Sequence, residues 1–339
     1  MFKIIQLLSL LSCVLLAAIE ASACDLCALY NSVESEQIQG GTFRLGLAEQ
    51  FGSLSKIQED GHKIDNMAHQ HLQNSTIQAI GTYGITDSLG LSLTIPSIYR
   101  RYKRVEDGAI DKGSVSGLGD MSLIARGTVF KYNRGESSLI AQLYGGLKLP
   151  TGSSYLLAES HTDMGMGEVH NNSSTESMGE MSESEHAKHS VGAIHGHDLA
   201  LGTGSLDVPF GASIFARQQR LFAVAEAWYT IRNKGAHGYE AADSLTWTAG
   251  PGVYLFSDKE MSIAVKANFS GEIKALDHSY GELEGSSGIN ASFVGPRFIA
   301  NAQDRLHAEL GMDFPLAIDN TGIQAVTTYR LMGAVVVRF

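Results

Sequence analysis

Apolar and polar positions alternate with a period of two along most of this chain, and the last stretch shows the pattern most plainly. From Thr327 to Phe339, the residues Tyr329, Leu331, Gly333, Val335, Val337 and Phe339 fall on one face, and Thr328, Arg330, Met332, Ala334, Val336 and Arg338 on the other. Successive side chains of a strand point to opposite sides, so this is a ribbon with an apolar face and a face carrying two arginines. The pattern recurs in segments of about ten residues. These lie near 42–54, 73–86, 88–102, 118–132, 137–149, 205–217, 220–232, 244–256, 260–270, 288–300, 304–315 and 327–339, which predicts twelve strands.

The connections carry more information than the strands. Five are tight: Asp87-Ser88, Asn133 to Glu136, Gln218-Gln219, Ser257 to Glu260 and Asn301 to Gln303. Six are longer, near 55–72, 103–117, 150–204, 233–243, 271–287 and 316–326, and long and short alternate along the chain. An antiparallel barrel gathers alternate connections at opposite ends, and outer-membrane barrels have short periplasmic turns and long external loops. A soluble β-sandwich has no reason to sort its loops this way. The predicted fold is therefore all-β, a transmembrane antiparallel barrel of about twelve strands, of the bacterial outer-membrane type.

Face assignments follow strand by strand. Leu306, Ala308, Leu310, Met312 and Phe314 meet lipid, while Arg305, His307, Glu309 and Asp313 point inward. Leu139, Leu143 and Leu147 oppose Gln142, Tyr144 and Lys148; Ile263, Val265 and Phe269 oppose Lys266 and Asn268; Leu123 and Ala125 oppose Asp120 and Arg126. A lipid-facing Arg or Lys costs about 2–4 kcal/mol at mid-membrane, so charges are expected in the lumen. The lumen-lining set is Arg126, Lys148, Lys266, Arg305, Glu309, Asp313, Arg330 and Arg338, with Arg44 and Asp120 on the same register. Tyr99, Trp228, Tyr229, Trp247 and Tyr329 are candidates for interfacial girdles, although Trp228 falls on the inward register. Pro96, Pro209, Pro251 and Pro296 interrupt strands, and bulges are expected there.

The first 23 residues read as a secretory signal. Lys3 is the positive start, Ile4 to Ile19 is mostly apolar, and Ala21-Ser22-Ala23 is a small-residue cleavage site. Residues 24–41 then form a periplasmic segment and 42–339 the barrel, in a Gram-negative outer membrane. The formal charge of −11 argues against nucleic acid as a partner. Cys13 leaves with the signal, so Cys24 and Cys27 remain, in an oxidising compartment. That pair can close a disulfide or hold a soft metal ion, and lipidation of Cys24 is a further alternative.

Three short runs carry a family resemblance: Gly117-Leu118-Gly119-Asp120-Met121-Ser122-Leu123, Gly146-Leu147-Lys148-Leu149-Pro150-Thr151-Gly152, and Gly202-Thr203-Gly204-Ser205 leading to Pro209-Phe210-Gly211. They resemble the outer-membrane family named for the meta-pathway of phenol degradation, whose members are described as transporters. The resemblance covers roughly 42–339 and implies a barrel that passes small molecules, aromatic ones among them. Terminal Phe339 resembles the aromatic that bacterial outer-membrane barrels present to their assembly machinery. The Cys pair and the insert between the fifth and sixth strands have no counterpart in the resemblance.

That insert is the chemically unusual segment. Between Glu159 and Asp198 it holds His161, His170, His186, His189, His195 and His197 together with Met164, Met166, Met178 and Met181, among eight acidic residues and one lysine. With almost no aliphatic material it is expected to be a mobile external loop, spanning about 151–204. Imidazole suits Cu(II), Ni(II) and Zn(II), and thioether selects Cu(I), so copper comes first and zinc second as an ion held by these ten side chains. A polar loop with incidental His and Met content is the plainer alternative. No cofactor is required. An enzyme is not expected, since the chain has no Gly-x-Ser-x-Gly motif and no His-x-Ser pair on a lipid-facing strand.

The function expected from sequence is a channel or transporter for small solutes, linked to copper through the loop. Its alternatives are a conduit for hydrophobic aromatic compounds and a closed surface barrel that sequesters metal. The expected partners are outer-membrane lipid, the assembly machinery through Phe339, and a small-molecule or metal-ion solute.

Overall fold

The computed structural model describes residues 39–161, 191–303 and 305–339. Twelve antiparallel strands close into one barrel. They are β1 (Phe43–Glu59), β2 (His71–Gly84), β3 (Leu89–Glu106), β4 (Ser122–Arg134), β5 (Ser137–Lys148), β6 (Val208–Gln218), β7 (Leu221–Ile231), β8 (Ser244–Ser257), β9 (Met261–Lys274), β10 (Ile289–Ala302), β11 (Leu306–Asn320) and β12 (Ile323–Arg338). Each pairs with its neighbours in sequence, and β12 closes on β1 from Arg338↔Arg44 to Ile323↔Glu59. Closure leaves no edge strand, which is what a sheet needs where no water can satisfy its backbone.

The period-two pattern sorts as its chemistry demands. Leu47, Leu143, Phe298, Leu310 and Val335 are exposed on the outer wall, while Arg126, Lys266, Glu309, Asp313 and Arg330 are buried inside. The tight turns gather at the end that holds Phe43 and Phe339, whose backbones bond each other (Phe339 N–H to Phe43 O, 2.8 Å). The long connections lie at the other end, the external one in an outer membrane.

Several strands run further outward than their hydrophobic stretch. Asp60 (φ 46°) and Gly61 (φ 76°) turn β1 into the short strand His62–Ile64, and Asp107 (φ 49°) and Gly108 (φ 69°) turn β3 into strand Ala109–Leu118. Two consecutive positive φ values make type I′ turns, for which Asp-Gly is a preferred pair. The connection expected at 316–326 is two residues, Thr321-Gly322, because β11 and β12 continue past the membrane to meet it.

Three expectations need correction. The four prolines do not sit at bulges. Each keeps register with one neighbour (Pro96↔Gln78, Pro209↔Thr230, Pro251↔Ala223, Pro296↔Ala267). On the other side the ladder is interrupted: β10 pairs β11 at Val294↔Phe314 and again only at Arg297↔Gly311. A missing N–H is thus accommodated by a local gap. Arg305 does not line the lumen; it is exposed in the periplasmic turn before β11, which begins one residue later. And one acid faces outward: Glu49, two residues along β1 from Phe51, accepts a hydrogen bond from Ser75 Oγ (2.8 Å) on the outer wall.

Candidate functional site: the lumen and its plug

The two described ends of the long connection between β5 and β6 fold into the external mouth of the barrel. Leu156, Leu157, Ile194, Leu199 and Ala200 form a buried apolar cluster with Leu54 and Leu72 of the wall and with Tyr239 and Ala241 of a neighbouring connection. The expectation of a mobile external loop over 151–204 therefore fails for its flanks. The apolar residues are concentrated there, outside the His- and Met-rich middle, and fill the mouth as a plug. Polar stitches reinforce the packing. Gln70, almost fully buried, donates to Val191 O (2.9 Å) and accepts from Ala193 N–H (3.1 Å), and Ala325 N–H donates to Ala193 O (2.7 Å).

The three glycine-rich runs meet at the root of this plug and form one latch. Asp120 accepts the Gly152 N–H (2.9 Å) where the plug leaves β5, and the Thr203 N–H (3.0 Å) where it returns. Lys148 Nζ donates to Asp120 (2.6 Å) and to Thr203 Oγ1 (2.6 Å), and it pairs with Asp207 at 2.8 Å. Thr151 Oγ1 donates to Gly119 O (2.9 Å) and accepts from Met121 N–H (2.8 Å). Close approach explains the glycines here. A Cβ on Gly202 would lie 2.5 Å from Asp120 Oδ1, and one on Gly152 would lie 2.6 Å from Leu201 O.

Beneath the plug lies a chamber of about 130 Å³. Its apolar wall includes Pro96, Ile124, Leu201, Pro209 and Trp228, interspersed with hydroxyl and amide groups such as Thr76, Gln78 and Thr230. The charges at its outer end are mutually engaged: Lys148 with Asp120 and Asp207, and Arg232 with Asp207 at 3.7 Å. The chamber floor is a layer in which Tyr144 stacks on Trp228 (centroids 4.8 Å apart, 10° between planes) with the Arg126 guanidinium 4.8 Å from the Tyr144 centroid. Trp228 Nε1 donates to Glu226, and Tyr144 shares a hydrogen bond with Ser213.

Across the lumen from that stack, Arg297 pairs with Asp313 (2.7 Å) and Glu309 (3.4 Å). Arg330 joins Asp313 (3.7 Å) to Glu272 (3.4 Å) and lies 3.6 Å from the Phe293 centroid. On the periplasmic side the lumen widens into a vestibule of about 490 Å³, lined by Phe215, Phe222, Tyr254, Lys266, His307 and Arg338 among others.

The placement of the sequence candidates is uneven. Arg126, Lys148, Lys266, Glu309, Asp313 and Arg330 line the interior, and Arg338 lines the vestibule. His195 and His197 are brought together beside Asp198 at a short helical turn of the plug, Gly196–Leu199. Their rings stack at 5.3 Å. Burial pushes the His197 imidazole to titrate below its ordinary value, against the pull of the Asp198 carboxylate. Burial pulls the Asp198 carboxyl upward, but the neighbouring imidazoles and the His195 N–H outweigh it and hold that carboxyl well below the usual carboxylate range. Met164, Met166, His170, Met178, Met181, His186 and His189 lie outside the described residues, as do the signal segment, Cys24 and Cys27 and the side chain of His161. Sequence reasoning did not single out Asp207, Glu226, Glu272 or Arg297. All but Glu272, which lies in the predicted connection 271–287, fall on the inward register of a predicted strand, so the period-two pattern was sufficient to find those three.

No protein-family model matches the sequence, and no curated protein matches it. Among solved structures, the chain is similar to the COG4313 outer membrane channel from Pseudomonas putida F1, with a TM-score of 0.57 and 16% identity over 91% of this chain and 100% of that one. Lower scores relate it to the transport unit of the autotransporter AIDA-I from Escherichia coli (TM-score 0.44, 11% identity, 94% of each chain). The CymD monoaromatic hydrocarbon channel scores 0.38 at 5% identity, covering 92% of this chain and 94% of that one. At such identities the first likeness establishes the fold alone: this is a twelve-stranded barrel of the kind found in Gram-negative outer membranes.

Proposed function

We propose that this chain is an outer-membrane channel for small, mainly apolar and uncharged molecules, single-ring aromatic compounds among them, with the β5–β6 plug as its outer gate. The observation that carries this reading is the chamber. Its latch charges are spent on one another and the Arg126 guanidinium lies over the Tyr144 ring, so what the rest of the wall offers a solute is Trp228, Ile124, Leu201 and two prolines among hydroxyl and amide groups. Such a wall suits a flat ring bearing one hydroxyl better than it suits a free ion, since an ion entering it must give up hydration without a free counter-charge. This favours the aromatic conduit over a general solute channel. Among the described residues, a copper-linked form of the role is supported at His195 and His197. Recognition of Phe339 by the assembly machinery belongs to the same reading, supported by the exposure of its ring at the chain end.

The test is uptake into proteoliposomes of phenol against a sugar alcohol of similar size. Faster entry of phenol than through protein-free vesicles, with the sugar alcohol excluded, is expected. Equal rates for both would mean a non-selective pore, and no protein-dependent entry of either would leave the closed, metal-sequestering barrel as the better account.

A further inference from the structure

We infer that His195, His197 and Asp198 form a binding site for one borderline divalent ion of the Zn2+ and Cu2+ class, which fastens the plug in the barrel mouth. One donor atom from each side chain lies within 4.8 Å of the others. The individual spacings fit such a site. His195 Nδ1 is 3.6 Å from Asp198 Oδ2, and His197 Nε2 is 3.5 Å from Asp198 Oδ1. A direct hydrogen bond would draw these pairs to about 2.7–3.2 Å. A tetrahedral ion with bonds of about 2.0–2.1 Å instead sets its ligands about 3.4 Å apart. Each imidazole nitrogen therefore lies near ligand spacing from one oxygen of the carboxylate, Oδ2 for His195 and Oδ1 for His197, and the three donor groups lie close enough to share an ion.

The surroundings hold this arrangement in place. Asp198 Oδ2 accepts the His195 backbone N–H (2.8 Å), which fixes the carboxylate between the two imidazoles. The His197 ring stacks 6.1 Å from Tyr239, and the Arg100 guanidinium donates to the Asp198 carbonyl. Ligands fixed in advance lose little freedom on binding. Two imidazoles and a carboxylate are borderline-to-hard donors, suited to Zn2+ or Cu2+, with no thioether among them to prefer Cu(I). Three protein ligands leave a fourth position open to water. An ion here would tie the start of the helical turn to its second and third residues, next to Ile194 and Leu199 of the plug's apolar cluster.

The binding part of this inference is independent of conduction; the fastening part rests on the channel reading. Zn2+ is titrated calorimetrically into the refolded full-length mature protein, alongside the near-isosteric variants His195→Asn, His197→Gln and Asp198→Asn. Loss of an outer partner of a metal ligand already weakens binding by about 10–100-fold, so removal of a ligand is expected to cost at least about tenfold. Each variant should lose one equivalent, while His237→Gln and His278→Gln lose none. Unchanged affinity and stoichiometry in the His195→Asn/His197→Gln double variant would overturn the site. Zinc-edge X-ray absorption of the wild-type protein with one equivalent bound needs no variant. A shell of two imidazoles and oxygen is expected, and a sulfur-containing shell would refute the assignment. Finally, Zn2+ should lower the frequency of channel opening in wild-type bilayers but not in the double variant. Binding without that effect would sink the fastening role alone, and a bilayer silent under all conditions would count against the channel instead.

Discussion

Replacing Asp120 by Asn should release the plug while leaving the barrel folded. The carboxylate takes four hydrogen bonds: Gly152 N–H at 2.9 Å, Thr203 N–H at 3.0 Å, Thr203 Oγ1 at 3.1 Å and Lys148 Nζ at 2.6 Å. The two backbone bonds hold the departing and returning arms of the plug; the other two hold the latch around them. An asparagine has one acceptor oxygen, so it keeps one arm and turns an N–H₂ toward the donor of the other. Lys148 is not orphaned, because Asp207 remains 2.8 Å away. The loss is therefore about one hydrogen bond to a charged group, with some weakening of the bond that survives. Hydrogen bonds to charged groups contribute about 1.5–3 kcal/mol each, and the docked plug should lose about 2–3 kcal/mol. At about 1.4 kcal/mol per tenfold, the undocked population rises roughly 30- to 150-fold.

The assay is opening frequency in planar bilayers, with the heat-dependent shift in gel mobility of the purified variant as the check that the barrel is intact. An increase of one to two orders of magnitude in openings, with the mobility shift retained, is the expected result. Wild-type opening frequency in Asp120→Asn would show that the latch does not hold the plug, and the gating argument would fail with it.

Other consequences follow from the same geometry. Asp313→Asn removes the anion between Arg297 and Arg330, both almost fully buried. Breaking such a pair costs about 3–5 kcal/mol, so equilibrium urea unfolding in lipid should show a loss of that order, and a change below about 1 kcal/mol would mean that Glu272 and Glu309 suffice to balance the two cations. Trp228→Ala takes away the indole that stacks on Tyr144 at the chamber floor. It should raise uptake of the sugar alcohol relative to phenol, and an unchanged ratio would place selectivity elsewhere. Phe339→Ala should reduce the amount of folded barrel recovered from outer membranes without changing the refolded protein's unfolding midpoint by much, since the ring is exposed. Glu49→Leu replaces an acid on the lipid face, so it should be neutral or stabilising, and a clear destabilisation would show that the Ser75 contact matters more than the exposure of charge.

The barrel was legible because each strand carries its own instruction. Residues such as Leu310 and Glu309, adjacent in sequence, must go to opposite faces, and only a wall with lipid outside and polar packing inside satisfies both. Outward hairpin extensions were less legible because they leave the membrane, where the alternation has no apolar face to mark it. Their signal lay in Asp60-Gly61 and Asp107-Gly108, and in the short polar stretch around Thr321-Gly322. The latch was hidden for a different reason. Asp120, Lys148 and Thr203 were each visible inside a glycine-rich run, but no local rule says that runs 28 and 55 residues apart share a carboxylate. The plug was misjudged because its composition was read as an average. Leu156, Leu157, Ile194 and Leu199 flank the histidines, and a few apolar residues at the ends of a polar insert are enough to seat both ends in a mouth that already offers Leu54 and Leu72.

These two hidden features bear on the function together. A lumen rich in charged residues looks, in sequence, like an ion path. In the folded barrel most of those charges face one another: Arg297 with Asp313 and Glu309, Arg330 with Glu272, Lys148 with Asp120 and Asp207. The pairing arises from burial, since a charge held away from water costs several kcal/mol unless a partner of opposite sign is close. A pair that has met that cost presents little field to a passing solute. What remains to face a solute is the uncharged surface left between the pairs, and in the chamber that surface is an indole, two prolines and two aliphatic side chains interspersed with hydroxyl and amide groups. On the proposed channel reading, the residues that make the lumen polar in sequence are thus the ones that, once folded, leave selectivity to the uncharged surface between them.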